Sequence, residues 1–254
     1  VLPGVAFAAD IAPRMYTKAA VDPGYNWTGF YAGLNAGGAW GNFKPASTMA
    51  SSGASYFDPV TAATFDAAAA HSVTATGFTG GGQIGYNWQL GNMVFGLEAD
   101  FESLRLSGKA ASVLPPFSGT AMTISSSVQT DWLFTARPRI GIASGNALFY
   151  ATGGVAVTQL KGNFHFTDSG GTGGRVEDAA FSNTKVGWTV GGGIEAGLSG
   201  NWTVRAEYLY VDFGKVSTTG TITGGTSSNV SLNPLTHSSG LQASIVRSAL
   251  NYRF

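Results

Sequence analysis

The stretch Leu241–Phe254, LQASIVRSALNYRF, decides the reading of the whole chain. Taken with a period of two, one set is Ser244, Val246, Ser248, Leu250, Tyr252 and Phe254. The other is Ala243, Ile245, Arg247, Ala249, Asn251 and Arg253. The first set grows more apolar and aromatic toward its end, and the second carries two arginines. A two-faced strand ending on Phe suits a barrel in lipid, where closure removes both sheet edges and the outward side chains meet hydrocarbon.

The composition agrees with such a setting. The 254 residues hold 14 basic and 14 acidic side chains, and charged residues are 11%, against about 25% in soluble domains. Glycine is abundant at 37 residues and cysteine is absent. No run of about 18 apolar residues exists, which excludes a transmembrane helix. The remaining way across a bilayer is a closed barrel of strands. Zero net charge without a basic block argues against nucleic acid as a partner. Lack of cysteine removes disulfides, thiolate metal sites and a thiol nucleophile.

Residues 1–8, VLPGVAFA, read as the end of a signal peptide with a small-x-small cleavage pattern at Ala6-Phe7-Ala8. Residues 9–26 contain Pro13, Pro23 and Gly24 without periodicity and read as a periplasmic leader. The barrel then occupies residues 27–254.

Seven further alternating segments precede the opening stretch. They are Thr28–Trp40, Thr76–Leu90, Met93–Leu106, about Thr123–Ala143, Ala147 to about Phe166, about Asn183–Leu198 and Trp202–Phe213. Phe78, Ile84, Tyr86, Trp88 and Leu90 alternate with Thr79, Gln83, Asn87 and Gln89, a polar face that suits a crowded interior better than water. In the fourth segment Val128, Thr130, Trp132, Phe134, Ala136, Ile140 and Ile142 are expected outward. Leu133 is an exception, and Pro138 hints at a bulge. In the fifth, Phe149, Ala151, Val155 and Val157 are expected outward. The end of the seventh, with Leu209, Val211 and Phe213, is apolar on both faces and escapes the simple scheme. Gly91-Asn92, Ser144–Asn146 and Ser199–Asn201 are short turns, while roughly 41–75, 107–122, 167–182 and 214–240 are long and rich in small residues. Three short turns and four long loops predict an all-β, eight-stranded antiparallel transmembrane barrel with periplasmic turns and extracellular loops.

This face assignment puts Glu98, Asp100, Glu102, Asp131, Glu195 and Glu207 inside with Arg137, Arg139, Lys185, Arg205, Arg247 and Arg253. The acids of the third segment are expected to meet Arg137 and Arg139 across a hairpin, and Glu207 and Arg205 to meet Arg247. Buried charges must pair, and eight strands leave room for side chains rather than a water column. The reading is therefore a filled structural lumen. A narrow channel for small solutes is the alternative, better signalled by an excess of one sign of charge. Trp27, Trp40, Trp88, Trp132, Trp188 and Trp202 are expected as outward interfacial aromatics.

No catalytic, cofactor or metal site emerges. His71, His165 and His237 fall in or near the predicted loops, as do Asp58, Asp66, Asp168, Glu177 and Asp178, and nothing positions a nucleophile. A lipid-modifying enzyme would need a rim-facing His with a nucleophile. The glycine runs 80–82 and 191–193 lie within strands and lack the Lys-Ser/Thr of a phosphate loop.

Several phrases carry a family resemblance. They are Tyr25-Asn26-Trp27-Thr28-Gly29-Phe30-Tyr31-Ala32-Gly33, Gly81-Gly82-Gln83-Ile84-Gly85-Tyr86-Asn87-Trp88 and Tyr150-Ala151-Thr152-Gly153-Gly154. Ala206-Glu207-Tyr208-Leu209-Tyr210 with Asp212, and Arg253-Phe254, complete the set. Together the chain resembles the small outer-membrane β-barrel proteins of alphaproteobacteria, known as outer-membrane immunogenic or porin-family surface proteins. The resemblance implies a barrel of OmpA/OmpX architecture. It also implies that the barrel-assembly machinery reads the last strand, through Leu250, Tyr252 and Phe254. Outer-membrane lipid and lipopolysaccharide are the other expected partners, with surface ligands possible through the loops; no cofactor is implied. The expected role is structural, in envelope integrity and surface interaction.

Overall fold

The computed structural model describes residues 25–50, 58–117, 120–169, 174–224 and 234–254. The expectations for a signal peptide and most of the leader fall on residues 1–24, outside the described residues. The strands are β1 (Gly29–Phe43), β2 (Ala46–Met49), β3 (Val73–Leu90), β4 (Met93–Phe117), β5 (Thr120–Ser144), β6 (Ala147–Asp168), β7 (Arg175–Gly197), β8 (Trp202–Thr221) and β9 (Pro234–Arg253). One helix, α1 (Pro59–Ala69), lies between β2 and β3. All neighbours pair antiparallel, and β1 pairs β9 from Tyr31↔Arg253 to Phe43↔Leu241, closing the ring. Short β2 pairs β9 in the same register, Ala46↔Ser238. It therefore continues β1 beyond the break at Lys44-Pro45, where proline has no N–H to donate, and the ring has eight walls.

The outward side chains of the lower barrel are apolar: Phe30, Leu34, Ile84, Leu97, Phe101, Ile140, Val190, Ile194, Val246 and Leu250 are all exposed. On β1 this band runs from Phe30 to Trp40, a length that matches the 9–11 residues a tilted strand needs to cross hydrocarbon. The strands do not stop there. Most residues expected as long loops are strand: β4 and β5 are 25 residues each and stay paired as far as Phe117↔Thr120. The 16 residues of β4 beyond Phe101 lift the wall roughly 35–40 Å above the band, at about 3.3 Å per residue and a tilt near 40°.

Two register shifts explain the departures from strict alternation. On β5 the pairing slips between Thr130 and Leu133. The extra residue flips every side chain above it to the other face. Val128 and Thr130, expected outward, are therefore buried, and Leu133 is fully buried. The ladder with β4 passes Pro138 in register, paired with Leu97, so the bulge lies at 131–132 rather than at the proline. On β8 the register with β9 shifts between Asp212 and Lys215, where Gly214 takes φ +62°.

Between β7 and β8 the ladder runs from Gly197↔Thr203 up to Trp188↔Asp212 and resumes as a bridge at Val176↔Thr223. The walls around residues 181–187 and 213–218 form a seam between these two points.

Candidate functional site: the barrel interior and its outer end

The interior is filled in layers. At the mouth with the short turns Trp27, Val94, Leu148 and Tyr150 form a small apolar plug with Tyr25 against it. Trp27 is 1% exposed, a correction to its expected interfacial place. Its chain turns into the mouth, where its backbone N–H donates to Gln89 Oε1 at 2.8 Å. The other five tryptophans stand on the outer wall, Trp132 half-buried and the rest exposed.

Above the plug lies the ionic layer. Arg137 donates to Glu98 Oε1 at 2.7 Å and Asp100 Oδ2 at 2.9 Å, across the β4–β5 hairpin. Arg247 meets Glu207 Oε2, its partner across β8–β9, at 2.6 Å. Most remaining contacts cross the lumen. Arg205 on β8 reaches Glu98 on β4 at 2.5 Å, and Arg137 on β5 reaches Glu207 on β8 at 3.3 Å. Arg247 on β9 reaches Asp100 at 3.1 Å and Glu102 at 3.0 Å on β4. Arg139 lies 3.9 Å from Glu98 across the hairpin, reaches Glu195 on β7 at 3.0 Å, and donates from Nε to Asn87 at 2.8 Å. Neutral groups complete the shell. Tyr31 OH donates to Glu98 at 2.6 Å, Tyr150 OH to Glu207 at 2.8 Å, Thr135 to Asp100 at 2.7 Å and Thr203 to Glu195 at 2.5 Å. The Arg139 guanidinium lies 4.8 Å from the Tyr31 ring centre and 5.2 Å from that of Tyr150. Tyr31 was legible on the polar phase of its strand. Tyr150 was masked by the mixed pattern of β6.

Three charges expected in this layer are elsewhere. Asp131 is exposed because the β5 bulge turns it outward, and it accepts from Lys161 Nζ at 2.7 Å on the outer wall. Lys185 keeps inward parity but sits at the β7–β8 seam, half-buried, with Nζ donating to the Lys215 carbonyl at 3.0 Å. Arg253 lies below the layer at the short-turn rim, donating to the Asn26 and Thr28 carbonyls, its guanidinium 4.9 Å from the Tyr25 ring. The layer thus holds five carboxylates and four guanidiniums: Glu98, Asp100, Glu102, Glu195 and Glu207 with Arg137, Arg139, Arg205 and Arg247.

A second apolar layer covers the ions. It contains Leu133, Leu209, Val211, Phe213 and Ile245, together with Phe43, Leu106 and Leu160. The doubly apolar end of β8 is explained here: its inward residues belong to this layer, while Tyr208 and Tyr210 face outward.

Above it the structure brings together three residues that sequence reasoning left in separate loops. His237 is 0% exposed, with Nδ1 2.7 Å from Ser47 Oγ and Nε2 3.0 Å from Glu177 Oε1. A neutral ring protonated on Nε2 satisfies both contacts, donating to the carboxylate and accepting from the hydroxyl. Phe164 stacks on the imidazole at 4.5 Å. The only sequence signal was even spacing from Leu241 back to Leu235, which puts His237 on the inward phase if the strand is extended that far. The remaining predicted loop groups also have roles. Asp168 is buried against Arg175 at 2.9 Å, and exposed His165 pairs with Asp178 at 2.7 Å rather than with Asp168.

The outer end closes with a third apolar layer of Met49, Leu114, Met122, Ile124, Phe166, Ile222 and Leu235, capped by Ala62, Phe65 and Ala69 of α1. Asp58 caps the helix by accepting from Val60 N and Thr61 N, and Asp66 accepts from Met49 N at 2.8 Å. Hydrogen bonds from Thr61, side chain first, hold the Asp58 carboxyl below its usual range. Among the described residues no three His, Asp or Glu side chains converge as metal ligands.

The sequence matches the family model for the outer membrane protein beta-barrel domain over residues 6–254. The chain belongs to that family. Among relatives in this outer-membrane barrel family, a 31 kDa outer-membrane immunogenic protein of Brucella melitensis is 38% identical over 83% of this chain and 82% of its own. A 22 kDa outer membrane protein of Rhizobium leguminosarum is 34% identical over 52% of each chain. A 25 kDa outer-membrane immunogenic protein of Brucella abortus is 28% identical over 82% of this chain and 78% of its own. The family places the protein in the outer membrane as a β-barrel surface protein. The exposed apolar band is then its lipid-facing surface.

Proposed function

We propose that this barrel is a closed-lumen surface protein, which anchors in the outer membrane, supports the envelope and offers its raised outer end to ligands outside the cell. The observation that carries this reading is the stacking of buried layers from Trp27 to Phe65: ions, apolar side chains, the His237 cluster and the helix-capped core follow one another along the lumen. A solute path needs a polar bore, and three apolar layers interrupt it. The names of the Brucella relatives, outer-membrane immunogenic proteins, support exposure of the outer end. Lipopolysaccharide and other outer-leaflet lipids would contact the outer wall. The barrel-assembly machinery would engage the last strand through Leu250, Tyr252 and Phe254. Planar bilayers containing the purified protein should show no reproducible conductance steps; discrete, repeatable openings would overturn the closed lumen. The chain has no cysteine, so introduced thiols report orientation cleanly. Ser182→Cys should react with a membrane-impermeant maleimide on intact cells, and Ser199→Cys only after permeabilisation.

A second reading, hydrolysis by Ser47, is favoured by its contact with His237 and Glu177. Burial of all three side chains to 2% exposure or less opposes it, because a nucleophile needs a substrate within reach. We read the trio as a polar tie joining β2, β9 and β7. A fluorophosphonate probe should leave Ser47 unlabelled; stoichiometric labelling would restore the enzyme.

A further inference from the structure

Two backbone ladders stop partway up the wall, each where a register shifts. β3 and β4 pair from Leu90↔Met93 up to Thr79↔Leu104 and no further among the described residues, and the β4–β5 register shifts between Ser103 and Leu106. β7 and β8 pair up to Trp188↔Asp212, and the β8–β9 register shifts between Asp212 and Lys215. A bulge bends its strand and re-aims the hydrogen-bonding edge, which ends pairing on that side. The other ladders continue upward. Ala111↔Ser125, Ser125↔His165 and His165↔Asp178 keep β4 to β7 together. Thr219↔Thr236, Thr48↔Thr236 and Phe43↔Val73 keep β8, β9, β1 with β2, and β3 together. Above the ionic layer the ring is therefore two four-walled half-shells, which face each other across the upper apolar layers.

Few polar contacts join them. On the β7–β8 side Val176 and Thr223 exchange two backbone hydrogen bonds, at 3.0 and 2.9 Å. Below this bridge Glu177 meets His237 at 3.0 Å, and Lys185 Nζ donates to the Lys215 carbonyl at 3.0 Å in place of a ladder N–H. Lys185 is half-buried, so water reaches the seam. On the β3–β4 side His71 Nε2 lies 3.1 Å from Ser112 Oγ. There α1 also spans the gap, with the Phe65 ring edge-on to Phe166 of β6 at 5.7 Å and Leu114 and Met122 in the same apolar cluster. Segments open locally where few backbone bonds and few buried apolar contacts hold them. The β7–β8 side, without a covering helix, is the weaker of the two.

We propose that the raised outer end is a clasp: its half-shells hinge on the α1 side and part along the β7–β8 seam, while the membrane barrel below stays shut. The Val176–Thr223 bridge and the Glu177–His237 contact are its catch. Parting exposes to water side chains that the closed form buries, among them Ser239, Phe181 and Phe213. The closed form predominates because the half-shells bury apolar layers against each other. The clasp goes beyond the closed-lumen reading and does not depend on it. At the ionic layer both ladders are unbroken, with Gly81↔Glu102 and Glu195↔Arg205 paired. Conductance would overturn the closed lumen and leave the clasp standing.

The test uses the full chain in lipid nanodiscs, with heat-modifiable gel mobility as the check on folding. Ser239 is fully buried, pairs with Val216 of the seam, and its Oγ has no hydrogen-bond partner among the described residues. Ser239→Cys therefore breaks no bond and introduces a single thiol into a chain without cysteine. Ala249→Cys places its thiol at a buried site between Asn35 and Arg205, level with the ionic layer. A water-soluble maleimide should label Ser239→Cys at least roughly tenfold faster than Ala249→Cys, since only the first lies between parts that separate. Adding the pair V176C/T223C, closed as a disulfide or with a short bifunctional thiol reagent, should stop labelling on the peptide that carries position 239. Equal labelling of the two folded single variants, or labelling at position 239 that persists with the catch locked, would overturn the clasp. If Ser239→Cys fails to fold, hydrogen exchange of the wild-type protein decides: the Val176 and Thr223 amides should exchange at least roughly tenfold faster than those of the β7–β8 pairs below Trp188, and equal protection would overturn the proposal.

Discussion

Replacing Arg247 with Met removes the guanidinium that ties the last strand to β4 and β8. In the native barrel it contacts Glu207 at 2.6 Å, Glu102 at 3.0 Å and Asp100 at 3.1 Å, with all four side chains at most 1% exposed. Glu207 and Asp100 retain Arg137. Glu102 has no other ion-pair partner among the described residues, so the variant leaves a carboxylate buried without compensation. Removing one member of a buried pair costs about 3–5 kcal/mol, since the remaining charge cannot recover its hydration. The cost shows as a lowered midpoint in reversible guanidinium unfolding of the reconstituted barrel. Adding Glu102→Gln removes the stranded charge and should return at least about 1 kcal/mol, read as the coupling in a double-mutant cycle. As an internal contrast, Asp131→Asn breaks a pair of similar length at the surface and should cost less than about 1 kcal/mol. If Arg247→Met costs no more than Asp131→Asn, the ionic layer is not what braces the closure and the reasoning fails.

Three other outcomes test separate parts of the structure. A Cβ at Gly37 would lie 2.1 Å from the Val246 carbonyl oxygen and 2.6 Å from Arg247 Cα. Backbone cannot give way as a side chain can, so Gly37→Ala should destabilise the barrel by about 1–3 kcal/mol, measured by the same unfolding. Asp58 caps α1 with a lowered carboxyl pKa. Its support for the helix is therefore present above the ordinary aspartate range and lost as pH falls through the lowered folded value. Hydrogen exchange in α1 should rise at acid pH in wild type and already at neutral pH in Asp58→Ala. Phe254 is 76% exposed, and its ring packs on the outward Tyr252. Phe254→Ser should lower the yield of assembled barrel in cells while leaving the refolding stability of purified protein nearly unchanged; equal losses in both would deny the terminal residue a role in assembly.

Alternation along the chain determined the walls. Where a strand is straight, parity alone separates Glu98, Asp100 and Glu102 from Leu97, Ala99 and Phe101, because successive side chains must leave opposite faces. The antiparallel order makes consecutive strands neighbours, so Glu98–Arg137 and Glu207–Arg247 followed from the pairing of consecutive strands. Parity fails once a residue is inserted. The bulges at 131–132 and 213–214 reverse the faces beyond them, sending Asp131 out and Val128 and Val216 in, and no local residue pattern announced either one. What lies across the lumen was also beyond any local pattern. Arg205 meets Glu98 and Arg247 meets Glu102 because eight walls curve until opposite faces are within side-chain reach. The same closure stacks Leu209 and Ile245 over the ions and brings Ser47, Glu177 and His237 into one buried cluster. Sequence specifies the two faces of each strand; ring closure specifies what each inward residue touches, since those distances depend on curvature and register summed around the whole barrel.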